Sequence, residues 1–109
     1  MSYKISSVEL FEKQTKRLTK KYPSLKTELL ALINILKATP CYGTPIGKDC
    51  YKIRLSIASK GKGKSGGARI ITHFAIVSTT VFLLSIFDKS EKESLTDREL
   101  KELLSSISD

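Results

Sequence analysis

The chain has few of the residues from which metal sites and histidine-based active sites are built. It contains one histidine, His73, two cysteines, Cys41 and Cys50, and no tryptophan. Because a zinc ion takes three or four cysteine, histidine or carboxylate ligands, we expect no metal site. A pair of catalytic histidines is excluded. The two cysteines are expected to remain thiols in a chain that we expect to be cytoplasmic.

Long apolar runs are missing as well. No segment approaches the ~20 apolar residues that cross a membrane, and the opening residues MSYKISSVEL contain no apolar stretch typical of a signal peptide. A length of 109 residues leaves room for one domain. We therefore expect a single cytoplasmic domain over residues 1–109, with no membrane partner.

Acidic residues are scarce in the middle of the chain. Residues 48–72 hold seven lysines and arginines against one acidic residue, whereas residues 73–109 hold four against seven. The net charge of the whole chain is +8. A solvated basic surface is the simplest interpretation, but the concentration of cations around glycines favours a polyanionic partner.

Two nucleotide-binding motifs in that segment are spurious. Residues 61–66 spell G-x-G-x-x-G, and residues 63–65 are the Gly-Lys-Ser that ends a P-loop. A dinucleotide fingerprint works because its glycines open a helix whose N-terminal amides meet the phosphates. Here the glycines precede a predicted strand that begins near Ala68, and the first P-loop glycine is replaced by Ala58. We therefore expect no nucleotide and no other cofactor.

Apolar residues spaced three and four apart predict three helices. The first begins at a capping box of Ser6 and Glu9 and ends before Pro23, and the second follows over residues 25–36. A second capping box, Thr96 with Glu99, begins a terminal helix. The apolar face of that helix consists of Leu100, Leu103, Leu104 and Ile107.

Alternation of apolar and polar residues predicts the strands. Residues 51–57 alternate, residues 68–77 form a second strand, and residues 80–87 are apolar at almost every position, as in a central strand covered on both faces. Residues 2–6 are a candidate edge strand. The predicted fold is α+β: a helical hairpin and a C-terminal helix packed on a mainly antiparallel sheet of three to four strands.

The basic side chains of these strands are expected to converge. Lys52 and Arg54 share one face of their strand, and Arg69 begins the next strand. The connection at residues 59–67 is longer than a hairpin requires and carries Lys60, Lys62 and Lys64. Its ammonium and amide groups would suit phosphate contacts. The alternatives are a solvated loop and the solvent face of a half-covered sheet.

The segments YKIRLSIASKGKGKSGGARII and LLSIFDKSEKESLTDRELKELL resemble the RelE/HigB branch of the RelE–ParE toxin superfamily. The resemblance extends over essentially the whole chain. It implies the toxin of a type II toxin–antitoxin pair, whose partners are a cognate antitoxin, the ribosome and mRNA. Such toxins enter the ribosomal A site and cut mRNA through its own 2′-OH without a metal.

The resemblance also implies roles for individual residues. Lys52 would help to activate the 2′-OH, Arg54 would assist substrate binding or act as a general acid, and Arg69 would clamp the scissile phosphate. Lys89 occupies the position of a family arginine that contacts the developing charge, and Lys92 is expected to contact RNA. A cluster of cations can replace paired histidines, because neighbouring positive charges lower the pKa of a lysine and stabilise the anionic transition state.

One position departs from the family pattern. Leu95 stands where RelE has a tyrosine, which leaves the general base open. His73 shares the strand of Arg69, and a structural role is the expected one. Two other functions remain open on the sequence alone, namely a gyrase inhibitor similar to ParE and a nucleic-acid-binding toxin homologue without catalysis.

Overall fold

The computed structural model describes residues 2–61 and 66–107, so Lys62 and Lys64 lie outside the described residues. The strands are β1 (Lys4–Ser7), β2 (Thr44–Gly47), β3 (Cys50–Leu55), β4 (Ala68–Ala75) and β5 (Thr80–Asp88). The helices are α1 (Glu9–Lys21), α2 (Leu25–Ala38) and α3 (Asp97–Ser105), and Ala58–Lys60 forms a 3₁₀ turn. No helix in the described part of the chain is long and apolar enough to cross a membrane.

The five strands form one sheet in the order β1-β5-β4-β3-β2. β1 is parallel to β5, and the remaining neighbours are antiparallel. The α+β architecture and the edge strand near the N-terminus are confirmed. The sheet has five strands, one more than the predicted three to four. The strand that was not predicted is β2, which has no buried residue and therefore no alternation of buried and exposed positions.

α1 and α2 pack on one face of the sheet. Their buried side chains meet Ile53 and Ile70 from the central strands and include Phe11 and Leu18 of α1 and Leu25, Leu29, Leu32 and Leu36 of α2. α1 ends before Pro23 as predicted, but its predicted capping box is wrong. The N-cap is Val8, which makes no side-chain cap, because Ser6 is part of β1.

α3 covers part of the opposite face. Leu100 packs in a second core with Cys50, Ile71, Leu84 and Phe87. The predicted capping box at the start of α3 is confirmed, since the Thr96 hydroxyl accepts from the Glu99 amide and the Glu99 carboxylate accepts from the Thr96 amide. Every β5 residue except Phe82 is buried, as expected for a strand covered on both faces.

Candidate functional site

Arg54 and Arg69 lie directly opposite each other on β3 and β4. Lys52, two residues from Arg54, is the partner of Ile71. Opposed residues in an antiparallel pair have Cα atoms about 4.5–5.5 Å apart and side chains on one face. The register therefore brings Lys52, Arg54 and Arg69 onto the same face, and we call these three residues the basic cluster.

Burial in the basic cluster is uneven. Arg69 is 3% exposed, whereas Arg54 is exposed and Lys52 is half-buried. Arg69 is also the register partner of Phe87, which belongs to the core beneath α3. The cluster thus extends from the margin of that core to open solvent. Arg54 is therefore the member of the cluster most open to a ligand from solvent.

Arg54 and Arg69 repel each other across the pair of strands. Burial, and then the neighbouring charge of Arg54, lower the pKa of Arg69 from its ordinary value. Arg69 donates from Nη1 to the Ala68 carbonyl oxygen at 3.1 Å. Within residues 2–61 and 66–107, no acidic side chain forms an ion pair with Lys52 or Arg54. Positive charge is therefore concentrated here without a carboxylate facing those two side chains.

Lys89 lies at the same end of the sheet as the two arginines. It follows directly after β5, and its amide donates to the Gly67 carbonyl oxygen at 3.1 Å, which extends the pairing with β4 by one bond. Strand alternation gives Lys89 the same side as Phe87, the partner of Arg69. Its side chain is half-buried and has no ion-pair partner in the described part of the chain.

Lys60 has an intramolecular partner that the sequence did not reveal. Its Nζ pairs with the carboxylate of Asp88, which is completely buried, and the Lys60 side chain itself is only 10% exposed. The Tyr22 hydroxyl donates to the same carboxylate at 2.7 Å. The proposed phosphate contact of Lys60 therefore competes with a buried ion pair. A lone acidic residue that ends an otherwise apolar strand was the one available signal.

Lys92 lies in a different place from the basic cluster. Its Nζ pairs with Glu99 of α3, and both line a groove of about 570 Å³ between α3 and the start of α1. The hydrogen bond from Lys92 holds the pKa of Glu99 below its ordinary value, with help from the Thr96 amide. The predicted RNA contact of Lys92 is thus partly offset by a carboxylate.

The residues at and around the position of the family tyrosine have structural roles, and so does His73. Leu95 is half-buried against the core beneath α3, Thr96 caps that helix, and Ser90 donates to Asp88. His73 contacts the Lys48 carbonyl oxygen through Nδ1 at 3.1 Å, and its ring stacks with Phe82. Among the described residues, no group of histidine, cysteine, aspartate and glutamate is placed to hold a metal ion.

Both cysteines are free thiols, as the sequence predicted, and Cys41 is exposed whereas Cys50 is buried. Burial raises the pKa of Cys50 to about 11, so its thiol stays protonated at neutral pH. A protonated buried thiol is a poor nucleophile. Cys50 is therefore no candidate for a catalytic nucleophile.

Comparison with solved structures supports the fold. A mutant of the E. coli toxin RelE in the free state, with two arginines replaced by alanine, superimposes with a TM-score of 0.65 at 18% identity, covering 99% of this chain and 100% of the other. RelE in the intact E. coli RelBE toxin–antitoxin complex gives a TM-score of 0.52 at 20% identity, covering 80% and 96%. At such identities the likeness shows the fold alone.

The family assignment rests on the sequence itself. A family model described as the RelE toxin of the RelE/RelB toxin–antitoxin system matches residues 10–108. That match includes both helices of the hairpin, four of the five strands and the helix that covers the second core. The chain therefore belongs to the RelE toxin family.

Proposed function

We propose that this chain is the toxin of a type II toxin–antitoxin pair and an endoribonuclease that cuts mRNA in the ribosomal A site. The observation that carries the proposal is the opposition of Arg54 and Arg69 with Lys52 on the same face. Like charges directly opposite each other destabilise a sheet. A phosphate backbone bound between them would convert that repulsion into attraction. Membership of the RelE toxin family supports the same function.

The proposed reaction uses the RNA as its own nucleophile. The 2′-oxygen forms a bond to phosphorus and the bond from phosphorus to the 5′-oxygen breaks, which leaves a 2′,3′-cyclic phosphate and a free 5′-hydroxyl. One proton leaves the 2′-oxygen and another is delivered to the 5′-oxygen. The protein must therefore accept a proton, donate a proton and stabilise a crowded dianionic phosphorane, for which electrostatic stabilisation is usually the largest contribution.

The residues of the basic cluster differ in burial, and each suits a different one of these tasks. Arg69, nearly buried, would hold the scissile phosphate with its planar guanidinium, which can donate two parallel hydrogen bonds. Arg54, at the solvent side, would guide the substrate and assist the leaving group. Lys52 would help to activate the 2′-hydroxyl, and would have to be present as the free amine to accept its proton. Lys89, directly after β5, would face the developing charge.

Substitution of the buried arginine tests this function. Arg69→Gln removes the charge but keeps a polar side chain of similar reach. We expect cleavage of ribosome-bound mRNA to fall at least ~10²-fold, as when a transition-state donor is removed. The matched control is Lys4→Gln, which removes a cation from an exposed position of β1 opposite Thr80. Cleavage by Arg69→Gln at the rate of the control would refute the role of Arg69.

A cognate antitoxin is the second part of the proposal. E. coli RelE has been solved with its antitoxin RelB and with a RelB peptide. The antitoxin would either cover the basic cluster or displace α3, whose Leu103 and Leu104 are only half-buried. Displacement predicts faster amide exchange over residues 97–107 in the complex, and covering predicts protection confined to β3 and β4. If amide exchange stays the same in both regions, the antitoxin neither covers the basic cluster nor displaces α3.

A further inference from the structure

The buried carboxylate of Asp88 joins three separate segments of the chain. It accepts hydrogen bonds from the Tyr22 hydroxyl at 2.7 Å, from the Ser90 amide at 3.0 Å and from the Ser90 hydroxyl at 2.8 Å, and it pairs with Lys60 Nζ. Tyr22 is the C-cap of α1, and Lys60 ends the 3₁₀ turn before residue 61. Ser90 lies in the turn that carries Lys89.

We call Asp88 with its partners Lys60, Tyr22 and Ser90 the Asp88 network. This network and the adjacent Lys89 hold the two ends of the lysine-bearing connection, residues 59–67. Lys60, at its start, pairs with the Asp88 carboxylate, and Gly67, at its end, accepts from the Lys89 amide. The backbone carbonyl of Asp88 accepts from the amides of Glu91 and Lys92, which closes the turn after β5. The start of the connection is therefore held by Asp88 and its end by the next residue, Lys89, within the same turn.

The position of Asp88 makes this attachment relevant to the basic cluster. Asp88 is the register partner of Ala68, on the face that α1 and α2 cover, whereas Arg69 and Phe87 lie on the opposite face. Lys89, one residue further along, returns to the side of the basic cluster by strand alternation. The contacts of the Asp88 side chain on the face covered by α1 and α2 therefore fix the backbone from which Lys89 extends to the other face.

We propose that Asp88 and Lys60 are positioning residues, which fix the turn of Lys89 against the basic cluster, and that Lys60 acts through this contact and not by touching RNA. The proposal rests on the proposed nuclease function in so far as Lys89 acts in cleavage. Burial alone would raise the pKa of Asp88, but hydrogen bonds from Lys60, Ser90 and Tyr22 outweigh it and hold that pKa well below its usual range. Asp88 is thus an anion at neutral pH, and Lys60 is its buried counter-ion.

The variant that tests the proposal must remove the pair without leaving a buried charge. Lys60→Met with Asp88→Asn replaces both charges by neutral groups of similar shape, which is better tolerated than the loss of one partner. Lys60→Arg keeps a cation that can reach the carboxylate. The control is Lys16→Met in α1, an exposed lysine without an ion pair in the described part of the chain.

Steady-state cleavage on ribosomes separates positioning from RNA contact. In the double variant we expect kcat to fall at least about tenfold, as for a displaced catalytic group, with ribosome affinity and its salt dependence unchanged. Lys60→Arg should recover most of the rate. In a Lys89→Met background the double variant should lower the rate no further, because groups acting through the same residue are not additive.

Amide hydrogen exchange supplies a readout that needs no activity. We expect faster exchange at the amides of Lys89, Ser90, Glu91 and Lys92 in the double variant, with the interior of β5 as protected as in the wild type and in Lys16→Met. Unchanged exchange at those four amides would overturn the proposal. So would a loss of ribosome affinity with a weaker salt dependence, which would make Lys60 an RNA contact. Absence of cleavage by the wild type would instead overturn the proposed function and leave the exchange result standing.

Discussion

Neutralising Arg54 should stabilise the protein while it damages the proposed activity. Arg54 and Arg69 are register partners, so their guanidinium groups share one face of the sheet. Two unit charges ~6 Å apart repel by ~0.7 kcal/mol in water and by ~2.8 kcal/mol at an effective dielectric constant of ~20. Because Arg54 is exposed, the lower end applies, and we expect Arg54→Gln to raise the free energy of unfolding by about 0.5–1 kcal/mol.

The assay is thermal unfolding at two salt concentrations. A gain of about 0.5–1 kcal/mol corresponds to a rise in Tm of roughly 2–8 °C for a domain of this size. Screening shortens the reach of the repulsion from about 10 Å at 0.1 M salt to about 3 Å at 1 M, so the gain should largely vanish at the higher concentration. Lys4→Gln, opposite the neutral Thr80, should change Tm little at either concentration.

Two results would refute this reasoning. A lower Tm for Arg54→Gln at low salt would mean that Arg54 contributes favourable contacts that outweigh the repulsion. A gain that persists at 1 M salt would mean that its origin is not electrostatic. If the expected gain is found together with slower mRNA cleavage, the opposed arginines are maintained at a cost in stability for the binding of an anion.

Three further predictions concern other parts of the molecule. The pKa of Asp88 is lower in the folded protein than in the unfolded chain, so the stability that its ionised form contributes should be complete above about pH 4 and decline as the pH falls towards the folded-state pKa. Urea unfolding should therefore show that Lys60→Met with Asp88→Asn loses less stability than the wild type between about pH 6 and pH 3. Thr96→Ala removes the cap of α3 and should cost about 1 kcal/mol, visible as faster exchange over Asp97–Ser105, whereas Thr19→Ala in α1 should leave α3 unchanged. Lys62→Ala with Lys64→Ala should reduce the salt dependence of ribosome binding, and an unaltered salt slope would leave these lysines as solvated side chains.

The sequence predicted the helices and strands better than it predicted the register in which the strands pair. Alternation over residues 51–57 placed Lys52 and Arg54 on one face, and the short link before Thr80 required an antiparallel pair. The opposition of Arg54 to Arg69 depends on a register that a slip of one residue would have destroyed, and periodicity does not report register. β2 escaped prediction because all four of its residues are exposed.

The contacts of the Asp88 network could not be predicted from sequence patterns, for a different reason. Its partners lie far apart in the chain, with Lys60 at a separation of 28 residues and Tyr22 at 66. Local motifs capture contacts such as the capping box of Thr96 and Glu99, three residues apart. They carry no information on which distant lysine neutralises a buried carboxylate, so Lys60 was assigned to RNA although its nearest anion is Asp88.

The RNA ends formed on programmed ribosomes give the most direct test of the proposed nuclease activity. Purified protein is added to ribosomes that hold a defined codon in the A site, with transition metals removed by phenanthroline and free Mg²⁺ kept constant for the ribosome. We expect a cut within that codon that leaves a 2′,3′-cyclic phosphate and a 5′-hydroxyl, that requires the ribosome and that Arg69→Gln slows at least ~10²-fold. Intact mRNA together with inhibition of DNA gyrase, or cleavage that leaves a 5′-phosphate, would contradict it.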